Sequence, residues 1–336
     1  MSSANPTAMD QPVLEVRNLS TCFRTDRGVV TAVDDVSFEL RRGETLGIVG
    51  ESGCGKTVTS KSILRLLPEH LSFLKPESQV LFEGQNLAAA TPEEMRRVRG
   101  DRIAMIFQEP MTSLNPVFQI GWQLEEALAY HTDLDAAGRR ARAVEMLRLV
   151  EIPNPERRVD EYPHQLSGGM RQRVMIAMAL CCEPDVLIAD EPTTALDVTI
   201  QAQILDLMNG LKEKLGTAIM LITHDLGVVA QVCDRVLVMY AGRVIESATV
   251  HELFHAPKHP YTRALLESIP RSGERRRGQR LPTIPGIVPS LFELPSGCRF
   301  QDRCELREAR CEQEEPPLEQ HGSRSWRCHF PVGGES

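Results

Sequence analysis

The chain has 336 residues, 42% of them hydrophobic and 25% charged, with 38 Lys plus Arg against 46 Asp plus Glu. This length suits one large domain with an appendage, and the mild net charge of −8 argues against a nucleic-acid partner. The N-terminal stretch has no basic segment followed by an apolar one, and no apolar run approaches the roughly 20 residues that cross a bilayer. We therefore expect a soluble, cytoplasmic chain, and any membrane spans that it works with should belong to other subunits.

Residues 13–43 contain short alternating stretches, with Val36, Phe38 and Leu40 separated by polar residues. This pattern predicts antiparallel strands. Phe23 lies in the same segment, where it either stacks on an adenine ring or simply packs against the sheet.

Residues 45–57, TLGIVGESGCGKT, pass from an apolar strand through a glycine-rich turn into a helix expected over residues 56–67, ahead of Pro68. They fit G-x-x-x-x-G-K-[ST], in which small residues let successive backbone N–H groups point at one phosphate. Lys56 can reach the β- and γ-phosphates, and the Thr57 hydroxyl can ligate Mg²⁺. The predicted ATP-binding residues are Phe23, Gly50, Glu51, Ser52, Gly53, Cys54, Gly55, Lys56, Thr57 and Val58.

Cys54 lies inside this phosphate loop, close to the N-terminus of the expected helix. Inward-pointing amides and a helix N-terminus favour a thiolate. We therefore expect a maleimide to alkylate Cys54 readily and MgATP to protect it.

Further along, a strand predicted over residues 102–107 is followed by Gln108. A glutamine there can reach Mg²⁺ and an attacking water, or it is simply a polar residue at a strand end. The stretch from Lys56 to Asp190 is longer than one crossover needs, and residues 117–150 carry apolar side chains at helical spacing. An inserted helical segment is therefore expected.

The sequence LSGGMRQR at residues 166–173 places Ser167, Gly168 and Gly169 at a predicted helix start, which forms a second anion site. One nucleotide cannot easily use both sites of the same chain. We therefore expect a dimer in which each second site closes over the partner chain's nucleotide.

A strand predicted over residues 185–191 ends in two carboxylates. Asp190 can hold Mg²⁺ through water, and Glu191 can accept a proton from an attacking water; the alternative is that both merely cap the strand. Asp197 lies in the loop that follows. His224 comes after the next predicted strand, where it either contacts a γ-phosphate or is a surface group.

Beyond residue 265 the composition changes to arginines and prolines, which predicts a linker over residues 266–295. Residues 296–336 then form a loop-rich module with little core of its own. Four of the nine cysteines lie in this module, and chemistry alone leaves a disulfide, tetrahedral zinc or an iron–sulfur cluster open. Because C-x₂₋₄-C knuckles are missing, the wide spacing favours a [4Fe-4S] cluster over Zn²⁺. These cysteines are Cys298, Cys304, Cys311 and Cys328.

In order and spacing, residues 13–265 resemble the ATP-binding cassette subunits of ABC transporters. The matching features are GESGCGKT, Gln108, LSGGM, VLIADEP, Ala195-Leu196-Asp197 and His224. The resemblance implies an α/β P-loop NTPase fold with a mixed core sheet, an antiparallel β subdomain and a helical subdomain inserted at about 110–165. Residues 1–12 form a tail in front of this ATPase domain.

The same resemblance implies a role for each motif residue. It makes Glu191 the general base, His224 the switch histidine and Gln108 a part of the loop that contacts membrane subunits, with Mg²⁺ held by Thr57, Gln108 and Asp190. Ser167, Gly168, Gly169 and Asp197 then face the ATP of the partner chain. Met170 departs from the family, which usually has glutamine there, and this removes one amide donor.

The sequence PSLFELPSGCRF and the cysteines after it resemble the C-terminal extension of peptide- and nickel-importing cassette subunits. In several of these the extension holds a [4Fe-4S] cluster, with cysteines at the matching positions. The resemblance implies an ATPase at the cytoplasmic face of the membrane that drives peptide import. Its partners would be a second, identical or homologous ATPase subunit, two transmembrane permeases and an extracytoplasmic solute-binding protein.

Three other functions remain as alternatives. The first is import of nickel or another solute by the same type of complex. The second is a non-transport ABC ATPase that acts on ribosomes or DNA, although such proteins usually carry two cassettes, a long coiled coil or basic arms. The third is a small-molecule kinase, which leaves LSGGM without a role.

Overall fold

The computed structural model describes residues 11–108, 113–193, 197–269 and 283–333. These residues form two compact units: the first unit lies within residues 1–14, 39–44 and 81–222, and the second unit within residues 15–38, 45–80 and 223–336. Among the described residues, no helix is both long and apolar enough to span a membrane.

The described strands are β1 (Pro12–Thr25), β2 (Gly28–Arg41), β3 (Thr45–Val49), β4 (Ser72–Leu74), β5 (Gln79–Phe82), β6 (Gln85–Asn86), β7 (Ile103–Ile106), β8 (Val186–Asp190), β9 (Ala218–Ile222), β10 (Arg235–Tyr240), β11 (Arg243–Thr249), β12 (Glu319–His321) and β13 (Arg324–Trp326). The described helices are α1 (Lys56–Ile63), α2 (Pro92–Val98), α3 (Ile120–His131), α4 (Ala136–Leu149), α5 (Pro155–Arg158), α6 (Gly168–Leu180), α7 (Val198–Leu215), α8 (Leu226–Val232), α9 (Val250–His255), α10 (Pro260–Glu267) and α11 (Ala309–Gln313). Short 3₁₀ turns occupy Leu87–Ala89, Pro163–Gln165 and Gln301–Arg303.

The first unit contains a parallel ladder in the order β7, β8 and β9. All five residues of β8 and all five of β9 are buried, as expected for parallel strands that are covered on both faces. The expected helical segment is present, because α3 packs on α4 and α4 on α6. Leu124, Leu128 and Leu147 are buried in these helices.

The second unit is built around the fully buried strand β3. β3 pairs in parallel with β10, β10 pairs antiparallel with β11, and β11 pairs antiparallel with β13. Residues 296–333, called the C-terminal segment below, therefore extend this ladder through β13. β1, predicted to belong to an antiparallel sheet, pairs antiparallel with β4 in the same unit.

The C-terminal segment also shares the core of the second unit. The rings of Tyr240, Tyr261 and Phe300 lie together, with centroid distances of 4.7 Å between the tyrosines and 5.3 Å from each tyrosine to Phe300. Phe300 is buried with them. Residues 296–333 thus have little core of their own, as expected, but they do not form a module separate from the second unit. Composition does not reveal which surface a loop-rich segment packs against.

Helix α1 ends four residues before the predicted end at Leu67. After Ile63 the chain turns at Arg65, which has a left-handed φ of 50°. The N–H of Leu66 donates to the carbonyl oxygen of Lys61 at 2.8 Å, the six-to-one bond of a Schellman motif. The helix therefore ends in a turn at Arg65, which adopts the left-handed conformation that glycine usually takes at this position. Nothing in the sequence around Arg65 predicts this.

A buried histidine makes the stability of the second unit depend on pH. His259 is 2% exposed, its Nδ1 accepts a hydrogen bond from the Tyr261 N–H at 3.0 Å, and burial lowers the pKa of His259 to about 3. Between about pH 6.5 and 3 the unfolded chain therefore binds a proton that the folded chain does not. The free energy of unfolding consequently falls as the pH drops through that window.

We expect His259→Asn to remove this dependence, because asparagine keeps an acceptor for the Tyr261 N–H and does not titrate. Relative to this variant, the wild type should lose about 1.5 kcal/mol of unfolding free energy between pH 6.5 and 5. Urea unfolding of both proteins at several pH values measures the difference. Parallel stability curves would contradict the assignment of a buried neutral imidazole.

Candidate functional site: a phosphate loop and a carboxylate cluster

The phosphate loop follows β3 and depends on glycines with positive φ. These are Gly50 at 152°, Gly53 at 80° and Gly55 at 104°. A Cβ atom on Gly50 would lie 2.3 Å from the carbonyl oxygen of Met239, and one on Gly55 would lie 2.9 Å from that of Ala32. The loop can therefore follow this path only with glycine at positions 50 and 55.

Helix α1 begins at Lys56, directly after the loop, and has no acidic residue in its first turn. Its N-terminal potential is therefore not compensated locally, which favours an anion. Lys56 is buried, and its ammonium donates to the carbonyl oxygens of Gly50 at 2.7 Å and Glu51 at 3.0 Å. Ser52 and Gly53 are exposed at the tip of the loop, whereas Thr57 and Val58 are half-buried.

Glu51 is held from outside the loop. Its backbone N–H donates to the Tyr261 hydroxyl oxygen at 2.9 Å. Its carboxylate accepts two hydrogen bonds from the Arg303 guanidinium, at 2.6 and 3.0 Å. Neither Tyr261 nor Arg303 was predicted as a site residue, and no local signal marks them, since they lie 210 and 252 positions beyond Glu51.

The prediction of a reactive thiolate at Cys54 is wrong. The side chain is 0% exposed, and burial raises the pKa of the Cys54 thiol more than the nearby Lys56 lowers it. Ready alkylation by a maleimide is therefore no longer expected. The sequence shows that Cys54 lies in the loop, but only the packing shows that its thiol faces the protein interior.

His224 lies near the phosphate loop within the second unit. Gly50, Glu51 and His224 line one open cleft of about 410 Å³, whose apolar wall includes Leu265 and Ile269. The imidazole is exposed at the start of the turn before α8. The structure therefore brings this predicted residue to the same cleft as the loop.

Phe23, the predicted adenine-stacking residue, is half-buried near the end of β1, where it lies opposite Ser72 of β4. Its neighbour Arg24 lies over the ring of Phe73, 4.5 Å from its centroid. The stacking role of Phe23 stays a prediction.

The predicted carboxylates lie at the end of β8 in the first unit. Asp190 is 1% exposed, and Glu191 follows with a left-handed φ of 48°. Such a conformation at a non-glycine residue costs about 1–3 kcal/mol and is concentrated at functional sites. The Glu191 carboxylate accepts a hydrogen bond from the Gln108 side-chain amide at 3.1 Å. The structure thus brings Gln108 and Glu191 together although 83 positions separate them.

The LSGGM segment opens α6 in the first unit. The Ser167 hydroxyl caps this helix by accepting a hydrogen bond from the Met170 N–H at 3.3 Å. A Cβ on Gly168 would meet no atom within 4 Å, whereas one on Gly169 would lie 2.9 Å from a methyl group of Ile200. The Gly168 side of this helix start is therefore open.

Asp197 caps α7 by accepting a hydrogen bond from the Ile200 N–H at 2.9 Å. Ile200 is also the neighbour of Gly169, so the starts of α6 and α7 lie side by side in the first unit. Ala195 and Leu196 lie outside the described residues.

The four C-terminal cysteines line one small cavity of about 10 Å³ in the second unit. The Cys298 N–H donates to the Cys311 carbonyl oxygen at 2.8 Å, and all nine cysteines of the chain are free thiols. Burial raises the pKa of Cys298 to about 11 and that of Cys328 to about 12. Within the described part of the chain, no group of three or more His, Cys, Asp or Glu side chains is arranged to hold a metal ion.

Two protein families match the chain. The family described as ABC transporter matches residues 33–194, and the family described as oligopeptide/dipeptide transporter, C-terminal region, matches residues 245–311. The second match includes Cys298, Cys304 and Cys311.

Two relatives and two solved structures agree with these matches. A protein of Sinorhizobium fredii, named as a peptide ABC transporter ATP-binding protein, is 54% identical over 98% of both chains. A protein of Brucella ovis, named as a peptide import ATP-binding protein, is 53% identical over 94% of this chain and 96% of its own. A dimeric bacterial ABC transporter cassette is 28% identical with a TM-score of 0.63, over 70% of this chain and 98% of its own. A subunit of a Clostridium perfringens ABC transporter complex has the same identity and TM-score, over 74% of this chain and 92% of its own.

Proposed function

Because the chain belongs to the ATP-binding proteins of ABC transporters, we propose that it hydrolyses ATP to energise the import of peptides. The observation that carries the peptide assignment is the 54% identity, over 98% of the chain, to a relative named for peptide transport. The match to the C-terminal region of oligopeptide and dipeptide transporters supports the same substrate class. This match favours peptides over nickel or another solute, and over a function outside transport.

The phosphate loop and the start of α1 bind the phosphates of ATP, through loop amides and the Lys56 ammonium. Lys56 exchanges a bond to a loop carbonyl for one to a phosphate oxygen. Thr57, Asp190 and Gln108 would hold Mg²⁺, directly or through water. The ion would neutralise part of the charge on the phosphates. Glu191 accepts the proton of the attacking water, and His224 contacts the γ-phosphate.

The chain works as one of two ATPase subunits. Ser167, Gly168, Gly169 and Asp197 contact the ATP of the partner subunit, so both nucleotides favour the closed dimer. The open start of α6 beside Gly168 supports this role. ATP binding closes the pair and hydrolysis reopens it, which is a shift between two conformations with different affinity for ATP. Two permeases convert this movement into transport at the cytoplasmic face of the membrane, and a binding protein delivers the peptide.

Reconstitution tests this function. The chain is assembled in lipid vesicles with two permeases and a binding protein of the same organism, and uptake of labelled di- and oligopeptides is measured. Lys56→Ala should abolish ATP-dependent uptake, whereas Lys214→Ala, at an exposed position on α7, should leave it unchanged. Uptake of nickel without peptide would replace the proposed substrate, and uptake that survives Lys56→Ala would contradict the ATPase assignment.

A [4Fe-4S] cluster held by Cys298, Cys304, Cys311 and Cys328 is a second proposal. Its support is that all four thiols line one cavity. These four cysteines would hold the cluster as thiolates, the usual ligands of a [4Fe-4S] cluster. The cavity, which has room for about one water, would have to widen, and the buried thiols would have to lose their protons. The role is structural, because ATP-driven import requires no electron transfer.

Anaerobic purification tests the cluster. We expect brown protein with about four irons per chain, and loss of iron and of the visible absorbance in Cys304→Ser. Cys182→Ser, outside the C-terminal segment, is the matched control and should keep both. Colourless wild-type protein with about one zinc and no iron would overturn the cluster and leave the ATPase assignment intact.

A further inference from the structure

We infer that Arg303 is a positioning residue for the phosphate loop, so that the C-terminal segment is a working part of the ATP site. It acts through Glu51, and it lies beside Cys304, one of the four C-terminal cysteines. The inference rests on the proposed ATPase function, because its effect is on the binding of MgATP. The residues that carry it all belong to the second unit.

The Arg303 guanidinium is fixed on several sides. Its side chain is only 4% exposed, and it forms a two-bond fork with the Glu51 carboxylate at 2.6 and 3.0 Å. Its Nε donates to the Pro285 carbonyl oxygen at 2.8 Å, and the group lies over the rings of Tyr240 and Phe300 at 5.8 and 6.0 Å from their centroids. A charge-assisted fork in such surroundings defines both the place and the orientation of its partner.

Glu51 links Arg303 to Lys56 and to the backbone of the phosphate loop, which are the groups that contact ATP. Its N–H is held by Tyr261, its carboxylate by Arg303, and its carbonyl oxygen accepts from the Lys56 ammonium at 3.0 Å. Gly50, the residue before Glu51, has no room for a side chain, and its carbonyl oxygen also accepts a hydrogen bond from the Lys56 ammonium. A displacement of Glu51 therefore moves the lysine and the first peptide of the phosphate loop.

A second arginine from the same segment supports the other side of the loop. Arg299 donates to the Ala241 carbonyl oxygen at 2.6 Å and is paired with Asp34. The next residue, Gly242, donates its N–H to the Cys54 carbonyl oxygen at 3.0 Å. Arg299 and Arg303 thus brace two points of one loop, which a segment that merely packs on the unit would not need to do.

Loss of Arg303 should lower the fraction of protein whose loop is ready to bind. The apparent Kd rises as that fraction falls, whereas the rate at saturating ATP changes little because bound ATP restores the loop. For Arg303→Gln we expect the Kd for MgATP to rise about 10-fold, and kcat in the assembled transporter to stay within about 2-fold. Arg303→Lys keeps the charge without the fork and should show a smaller rise in Kd.

Titration of the full chain with MgATP, together with its Tm, tests the inference. Arg310→Gln is the matched control, since Arg310 is 57% exposed on α11 of the same segment, and it should bind as the wild type does. In a double-mutant cycle, Glu51→Gln with Arg303→Gln should bind no more weakly than the weaker of the two single variants. If Arg303→Gln does not fold, Arg303→Lys takes its place in the titration and the cycle.

Two results would overturn the inference. The first is a folded Arg303 variant with the wild-type Kd, whatever its Tm. The second is a double variant whose fold-increase in Kd equals the product of the two single increases, because the two residues would then act independently. A lower Tm with an unchanged Kd means that Arg303 only stabilises the fold. Failure of the wild type to bind MgATP would instead refute the proposed ATPase function, so the two failures are distinguishable.

Discussion

Glu191→Gln should lower ATP turnover by about 10² to 10⁴-fold, the usual contribution of a general base, while ATP binding is retained. The amide has the size of the carboxylate but cannot accept a proton from the attacking water. The glutamine side chain still has an oxygen that can accept the hydrogen bond from the Gln108 amide. In the wild type this amide lies 3.1 Å from the Glu191 carboxylate. The strained backbone at this position, with φ of 48°, should therefore persist.

Steady-state phosphate release and MgATP titration measure the two effects separately in the assembled transporter. Because closure needs ATP and reopening needs hydrolysis, the variant purified without the permeases should also accumulate with ATP as a closed dimer, which size-exclusion chromatography separates from the monomer. Glu213→Gln is a suitable control, since Glu213 is exposed near the end of α7. Turnover close to that of the wild type in Glu191→Gln would remove Glu191 from the role of base.

Gly50→Ala should abolish ATP binding at concentrations where the wild type is saturated. The added Cβ would lie 2.3 Å from the Met239 carbonyl oxygen and 2.7 Å from the Cys54 sulfur, at a φ of 152°. Overpacking and backbone strain each cost about 1–3 kcal/mol. A combined cost of about 3 kcal/mol corresponds to roughly 100-fold in affinity if the loop relaxes to another path.

Gly53→Ala separates the clash from the conformational strain. Gly53 also has positive φ, at 80°, but a Cβ there would meet nothing within 4 Å. Only the cost of a left-handed alanine remains, about 1–2 kcal/mol, so affinity should fall by no more than about 30-fold. Titration of both variants with MgATP makes the comparison. Equal losses would show that the contact with Met239 does not restrict the loop.

The local motifs were predictable because each requires particular residues within a few positions of one another. The glycines, Lys56 and Thr57 lie within eight consecutive positions of the chain. Apolar runs of four residues in β8 and five residues in β9 marked these two strands. Element ends were less predictable. Helix α1 stops at an arginine with φ of 50°, and its cost is offset by hydrogen bonds that appear only in the folded chain.

The sequence by itself determined that the chain has a phosphate loop, an apolar strand followed by two carboxylates, a helix start at Ser167, and four C-terminal cysteines, because these features are local patterns. Only the tertiary structure decided that the Cys54 thiol is buried, that Phe300 joins the core, and that Arg303 holds Glu51. Burial and pairing depend on which distant segments meet, and 252 positions separate Arg303 from Glu51. No periodicity or spacing records such a contact, since a charged residue reads the same in a sequence whether its partner is water or a carboxylate of the phosphate loop.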